Sequence, residues 1–170
     1  MLTPIAAKAA RLFSTTTRAA AATDVVIVSA ARTPIASFNG ALSTVTAPEL
    51  GSVAIKEVLA RANLSPDEID EVYMGNVVSA MVGQAPTKQA TLGAGIPNTV
   101  PCTGINKVCA SGMKSVMMAA QSIMLGQQGI MLAGGFESMS KIPFYLARGS
   151  AGFGHGKIVD GMIHDGLWDP

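Results

Sequence analysis

Short apolar runs alternate with stretches of helical period along this chain. Residues 24–30, DVVIVSA, form a β-branched run, the pattern of a strand buried on both faces. ARTPIASFNG follows as a loop marked by Pro34 and Gly40. TAPELGSVAIKEVLARANL reads as a helix. Thr46 caps it, Glu49 three residues on completes a capping box, and Leu50, Ala54 and Val58 recur at helical spacing. SPDEID repeats the signature, with Ser65 as cap, Pro66 at the first helical position and Glu68 at the third. EVYMGNVVSA predicts a second strand, PTKQATLGAGI a short helix closed by glycine, and TVPCTGINKV a third strand. SGMKSVMMAAQSIMLG is a helix apolar nearly all round, with Lys114, Ser115, Gln121 and Ser122 as its polar members. Such a helix is expected in the middle of a fold. GIMLAGG predicts a fourth strand. The alternation argues α/β with a mixed or mostly parallel sheet. From Lys141 onward the chain is glycine-rich and keeps no period.

Composition narrows this. The 170 residues are 49% hydrophobic and 14% charged, which fits about one core-rich domain and not a disordered chain. Charge is uneven. Residues 1–23 hold Lys8, Arg11 and Arg18 and no acid, and the rest carries nine basic and eleven acidic residues. With no basic run in the body, nucleic-acid binding is not expected. MLTPIAAKAARLFSTTTRAAAA is basic, acid-free and rich in Ser, Thr and Ala, the make-up of a mitochondrial transit peptide, with processing expected near Ala20 or Ala21. No apolar run reaches the ~18 residues of a membrane span. Cys102 and Cys109 make no disulfide framework, and a reducing matrix would keep both as thiols.

Cys109 stands between a strand pattern and a helix pattern in NKVCASGMK. A helix starting just after it aims free N–H groups and a positive dipole end at the sulfur, which favours a thiolate. The small residues of CASG leave room for a bulky substrate, and Gly112, costly inside a helix, calls for a packing or access reason. Yet free cysteine is among the most buried residue types, and nucleophilic cysteine needs a base, usually His. The two histidines, His155 and His164, both lie in the irregular tail. On pattern alone a core thiol and a nucleophile both stand.

NKVCASGMKSVMMAAQSIMLG, followed by AGGFESMS, resembles the thiolase family. VVIVSAARTPIASFNGAL resembles its opening strand and loop, VYMGNVVSAMVGQAPTKQATLGAGIP its second strand and Gln-Pro helix, and DGLWDP the DGL segment of its loop domain. The resemblance runs from Asp24 to Pro170. It is nearest to the mitochondrial acetoacetyl-CoA thiolases, with the 3-ketoacyl-CoA thiolases of fatty-acid β-oxidation as an alternative. Ketoacyl-synthase-like and hydroxymethylglutaryl-CoA-synthase-like enzymes share the strand–Cys–helix arrangement, but GGFESMS and GQAPTKQA are closer to thiolases.

The resemblance implies the N-terminal half of a five-layered α/β/α/β/α architecture, incomplete, with a mixed sheet and a buried central helix. It divides the chain into a transit peptide at 1–23, an α/β domain at 24–140 and the start of a loop domain at 141–170. The family's nucleophile falls on Cys109, which would carry an acetyl group and lend its N–H to an oxyanion hole. Leu167 matches a position that contacts coenzyme A. The implied substrates are acetyl-CoA and acetoacetyl-CoA, with no metal and no cofactor beyond coenzyme A thioesters. The implied assembly is a homodimer or homotetramer, and the implied location is the mitochondrial matrix. Gly134 and Gly135 are expected either to let the chain pass near the reaction centre or to make a plain strand-end turn. Cys102 is expected in the core, and Met113, Met117, Met118, Met124 and Met131 as core filler.

The family's activating His and Asn and its second Cys belong to a second half, and no position here matches them. A polypeptide of these 170 residues is therefore expected to be inactive and poorly soluble alone. It would be either the front part of an acetyl-CoA C-acetyltransferase or a non-catalytic product that associates with full-length thiolase.

Overall fold

The computed structural model describes residues 24–150 and 152–169. The expected transit peptide lies outside the described residues. Helix α1 spans Ala47–Ala62, strand β1 Glu71–Gly75, helix α2 Pro86–Gly93, strand β2 Cys102–Ile105, helix α3 Ser111–Met124 and strand β3 Met131–Gly135. Two short strands, β4 Phe144–Tyr145 and β5 Val159–Asp160, and a π-helical turn at Met162–Leu167 follow.

The three main strands form one parallel sheet in the order β2-β1-β3. Val72 of β1 lies opposite Cys102 on one side and Leu132 on the other. Strand side chains alternate between faces. Val72, Met74 and Leu132 are buried in one cluster with Ile55 and Leu59 of α1, Ala90 of α2 and Ile96 beyond it. Helix α3 packs against β1 and β3. The result is three layers, two helices over a sheet over one helix, as expected of an α/β chain.

Local signals explain the boundaries. At α1, Thr46 N–H donates to Glu49 Oε2 at 2.8 Å and Glu49 N–H returns a bond to Thr46 Oγ1, the capping box expected from sequence. Asn63 closes the helix in the left-handed region, its N–H turned back to Ala60 and Leu59 carbonyls. SPDEID makes only a one-turn 3-10 segment, Pro66–Glu68, although Ser65 and Glu68 do form their box. The buried face of α1 runs through Ala47, Gly51, Ser52, Ile55 and Leu59, while Leu50, Ala54 and Val58 lie beside it, half-buried. Gly51 shifts that face, because a Cβ there would stand 2.8 Å from the Phe136 ring. Asp70 takes N–H bonds of 2.8 Å from both Gly129 and Ile130, which pin the turn before β3 to the start of β1. Those two donors hold its carboxyl below the usual value.

Four expectations change among the described residues. DVVIVSA joins no strand ladder among the described residues, and Val26, Ile27 and Val28 are 70–80% exposed. A strand buried on both faces needs strands beside it and layers above and below. None of the described strands pairs with this run, and α1 holds it through Arg61 Nη1, which donates to Ala30 O. Among the described residues helix α3 is covered on one face only. It turns Ser111, Ser115, Ala119 and Ser122 to the sheet and leaves Met113, Val116, Met117 and Met124 exposed. Small residues let the helix axis approach the sheet, and Ser115 Oγ lies 2.6 Å from both Gly112 O and Gly134 O. Among the described residues the methionine set does not fill the core: Met118 and Met131 are half-buried and Met113, Met117 and Met124 are exposed. The described sheet is parallel throughout, not mixed, with the antiparallel pair β4–β5 standing apart from it. Cys102 is half-buried on β2 against the core cluster.

Candidate active site

All three parallel strands end toward one edge, where open α/β sheets place their ligands. Strand β1 runs into Asn76-Val77-Val78, β2 into Asn106-Lys107-Val108-Cys109, and β3 into Phe136-Glu137-Ser138. Cys109 comes four residues after β2 and two before α3, and it is exposed. The cysteine thus sits just ahead of a helix N-terminus, as the sequence pattern implied, and among the described residues nothing buries its thiol.

The residue before it carries strain. Val108 has φ of +47°, in the left-handed region that β-branched residues avoid. Three side-chain bonds hold it there. Asn106 Oδ1 accepts from the Val108 N–H at 3.0 Å. Ser111 Oγ accepts from the Lys107 N–H at 2.8 Å and donates to Val108 O at 2.6 Å. The turn thus projects Cys109 outward instead of letting it run on into the helix.

Glycines seat the helix. A Cβ on Gly75 would stand 2.5 Å from Ser111 C and 2.6 Å from Gly112 N, and one on Gly135 would stand 3.3 Å from Gly112 Cα. Gly135 therefore serves close helix–strand approach, not a turn. Gly134 continues β3, with space beside it taken by the Met74 thioether. The start of α3 rests directly on the ends of β1 and β3, and this fixes where Cys109 sits.

A polar network behind the turn escaped the sequence reading. Asn106 Nδ2 donates to Val77 O at 3.1 Å. Val77 N–H donates to Glu137 Oε2 at 2.8 Å, and Asn76 Nδ2 donates to Glu137 Oε1 at 3.0 Å. Burial pushes the Glu137 carboxyl above its usual value, opposed by the N–H groups of Val77 and Val78 and by the Asn76 amide. Asn76 Oδ1 is buried without a hydrogen-bond partner among the described residues. The signal available in sequence was position: Asn76, Asn106 and Glu137 all come within two residues of a parallel strand's carboxyl end.

Leu167 closes the π-helical turn and is exposed. The turn reaches the same edge of the sheet, since a Cβ on its Gly166 would meet Val78 Cγ2 at 3.3 Å. Tyr145 OH braces it by donating to Asp165 Oδ2 at 2.6 Å, and partial burial with that carboxylate pushes the phenol up to about 12. His155 and His164 are exposed, and neither takes part in the bonds around Cys109. Among the described residues no group of acidic, His and Cys side chains is arranged to hold a metal ion. A hollow of about 190 Å³ beside Arg32, Phe136 and Glu137 does not reach Cys109.

Comparison with known proteins places these features. The sequence profile described as Thiolase, N-terminal domain, matches residues 25–170. The chain is 60% identical over 148 residues to acetyl-CoA acetyltransferase 2 of Arabidopsis thaliana, covering 86% of this chain and 37% of that protein. It is 56% identical over 146 residues to the mitochondrial acetyl-CoA acetyltransferase of Homo sapiens, covering 86% and 34%. The crystal structure of Acat5 thiolase from Ascaris suum in complex with coenzyme A superposes with a TM-score of 0.83 at 46% identity, covering 86% of this chain and 38% of that one. The chain spans just over a third of the length of the relatives it matches.

Proposed function

The chain belongs to the thiolase family, and on that premise we propose that it supplies the acyl-carrying half of an acetyl-CoA C-acetyltransferase site, with Cys109 as nucleophile. The observation that carries this is the exposed cysteine on a strained turn, two residues ahead of a helix seated on the ends of parallel strands. A helix start offers unpaired N–H groups to developing negative charge on sulfur or on a thioester oxygen. The Cys109 N–H is one donor for that oxyanion, and such a donor contributes about 3 kcal/mol to the transition state.

The reaction balances in two steps. Cys109 Sγ attacks the acetyl carbonyl carbon of acetyl-CoA, the bond to the coenzyme A sulfur breaks, and the thiol proton leaves with coenzyme A. A second acetyl-CoA, deprotonated at its methyl carbon, attacks the Cys109 thioester. The new carbon–carbon bond forms acetoacetyl-CoA, and Sγ departs as thiolate. Thiolysis is the reverse. Ala110, the exposed residue that follows Cys109, is small and leaves space for the thioester. Leu167, exposed on the turn that reaches this edge, is the residue here proposed to touch coenzyme A.

The base for the methyl proton and the second oxyanion donor lie outside the described residues on this reading, so a polypeptide limited to these 170 residues has no thiolase activity. The relatives from Homo sapiens, Rattus norvegicus and Xenopus laevis named as mitochondrial favour a mitochondrial location, in line with the acid-free residues 1–23. The test is covalent. Incubating the complete protein that carries this sequence with acetyl-CoA should leave one acetyl group on the Cys109 peptide, and Cys109→Ser should abolish it. Acetyl-CoA turnover that survives Cys109→Ser would overturn the proposal.

A further inference from the structure

The bonds behind Cys109 form one continuous line across three strand ends. Glu137, after β3, accepts from the Val77 N–H at 2.8 Å. The other side of that residue's backbone, Val77 O, accepts from Asn106 Nδ2 at 3.1 Å. Asn106 Oδ1 in turn accepts from the N–H of Val108, the strained residue whose carbonyl carbon is bonded to the Cys109 nitrogen. Asn106 is thus the only side chain in this line that grips both the central strand's end and the peptide that sets the cysteine's direction. Ser111 holds the same turn from the helix side but makes no bond to β1.

We propose that Asn106 is the positioning residue for Cys109, its amide locking the turn against β1 through Val77, with Glu137 fixing Val77 in place. The proposal rests on the acyl-carrier reading of Cys109. Asn106 does not touch substrate; it sets the position of the Cys109 sulfur and N–H relative to the incoming carbonyl. Without its Oδ1 acceptor, nothing on the β1 side opposes the relaxation of Val108 out of the left-handed region, and that relaxation swings Cys109. Misplacement of a reacting group by about 1 Å costs on the order of a hundredfold in rate.

The experiment measures the rate of Cys109 acetylation by acetyl-CoA in the complete protein, by peptide mass spectrometry, across a range of acetyl-CoA concentrations. Asn106→Ala should slow the saturated rate by roughly a hundredfold while leaving the half-saturating concentration near the wild-type value. Asn106→Asp keeps the acceptor for Val108 and loses the donor to Val77, and should recover about tenfold of that loss. Thr46→Ala, which weakens the distant cap of α1, serves as the stability-matched control and should keep the wild-type rate. Asn106→Ala acetylating at the wild-type rate overturns the proposal, as does a slowdown that Thr46→Ala reproduces. If Asn106→Ala fails to fold, Asn106→Asp decides alone: a wild-type rate overturns the proposal and an intermediate one supports it. Wild-type protein that takes no acetyl group on Cys109 overturns the acyl-carrier reading itself, a result distinct from any of these.

Discussion

Gly75→Ala tests whether the seating of α3 on the sheet sets the position of Cys109. The new Cβ would stand 2.5 Å from Ser111 C, 2.6 Å from Gly112 N and 2.7 Å from Ser111 Cβ. Two of these three neighbours are backbone atoms of the first turn of α3, so no rotamer change relieves the clash. Ordinary contact begins near 3.4 Å, so the helix start and the strand end must separate by roughly 1 Å, a displacement that costs on the order of a hundredfold when it falls on a reacting group. Because Gly75 is not in the positive-φ region, the cost is steric and not conformational. Overpacking of this kind destabilises by about 1–3 kcal/mol. Gly152→Ala, where an added Cβ meets nothing within 4 Å, is the control and should stay within about 0.5 kcal/mol of wild type. Denaturant unfolding of the complete protein gives the stability term, and the rate of Cys109 acetylation gives the positional one. Gly75→Ala should lower stability by about 1–3 kcal/mol and slow acetylation by about a hundredfold. A stability and a rate both equal to those of Gly152→Ala would refute the reasoning.

Other outcomes follow from the same contacts. Ser115→Ala strips the fully buried hydroxyl shared by Gly112 O and Gly134 O, and should cost about 1–3 kcal/mol in denaturant unfolding. Thr46→Ala removes the α1 cap and should cost about 1 kcal/mol in the same assay. Asp70 has its folded-state value below the unfolded one, so its stabilisation is present above the ordinary aspartate range and is lost as pH falls through the folded value. Asp70→Asn should therefore flatten the fall of Tm as pH drops below the ordinary aspartate value. Glu137 runs the other way: its folded value is raised, so stability declines as pH rises from the ordinary glutamate value through the raised one. Thermal melts of Glu137→Gln against wild type across mildly acid pH should show that decline only in wild type. Expressed alone, the 170 residues should self-associate through the exposed methionine face of α3, and Met113→Lys with Met117→Lys should shift the polypeptide toward monomer in sedimentation.

Much of the fold was legible because local chemistry and burial agree. Thr46 and Glu49 named the start of α1, and VYMG, CTGI and MLAGG are the described parallel strands. The position of Cys109 just ahead of its helix was legible in NKVCASGMK, and its thiol is exposed among the described residues. Two misreadings share one cause. DVVIVSA and the methionine face of α3 both carry apolar side chains whose partners are not among the described residues. Pattern reasoning counts apolar residues and assumes that the chain itself buries them. The third failure differs in kind. Asn76, Asn106 and Glu137 are polar residues in loops, with no period to announce them, and their meeting depends on how three strand ends converge. Gly75 was similarly silent, since a close approach shows only when the approaching backbone is in place.

Whether Cys109 carries the acyl group is decided by intact-mass and peptide analysis of the complete protein after a short exposure to acetyl-CoA. One acetyl group per chain is expected, on the peptide containing Cys109, removed again by added coenzyme A. Acetyl on Cys102 in its place, or a Cys109 thiol left unmodified while acetoacetyl-CoA forms, would contradict it.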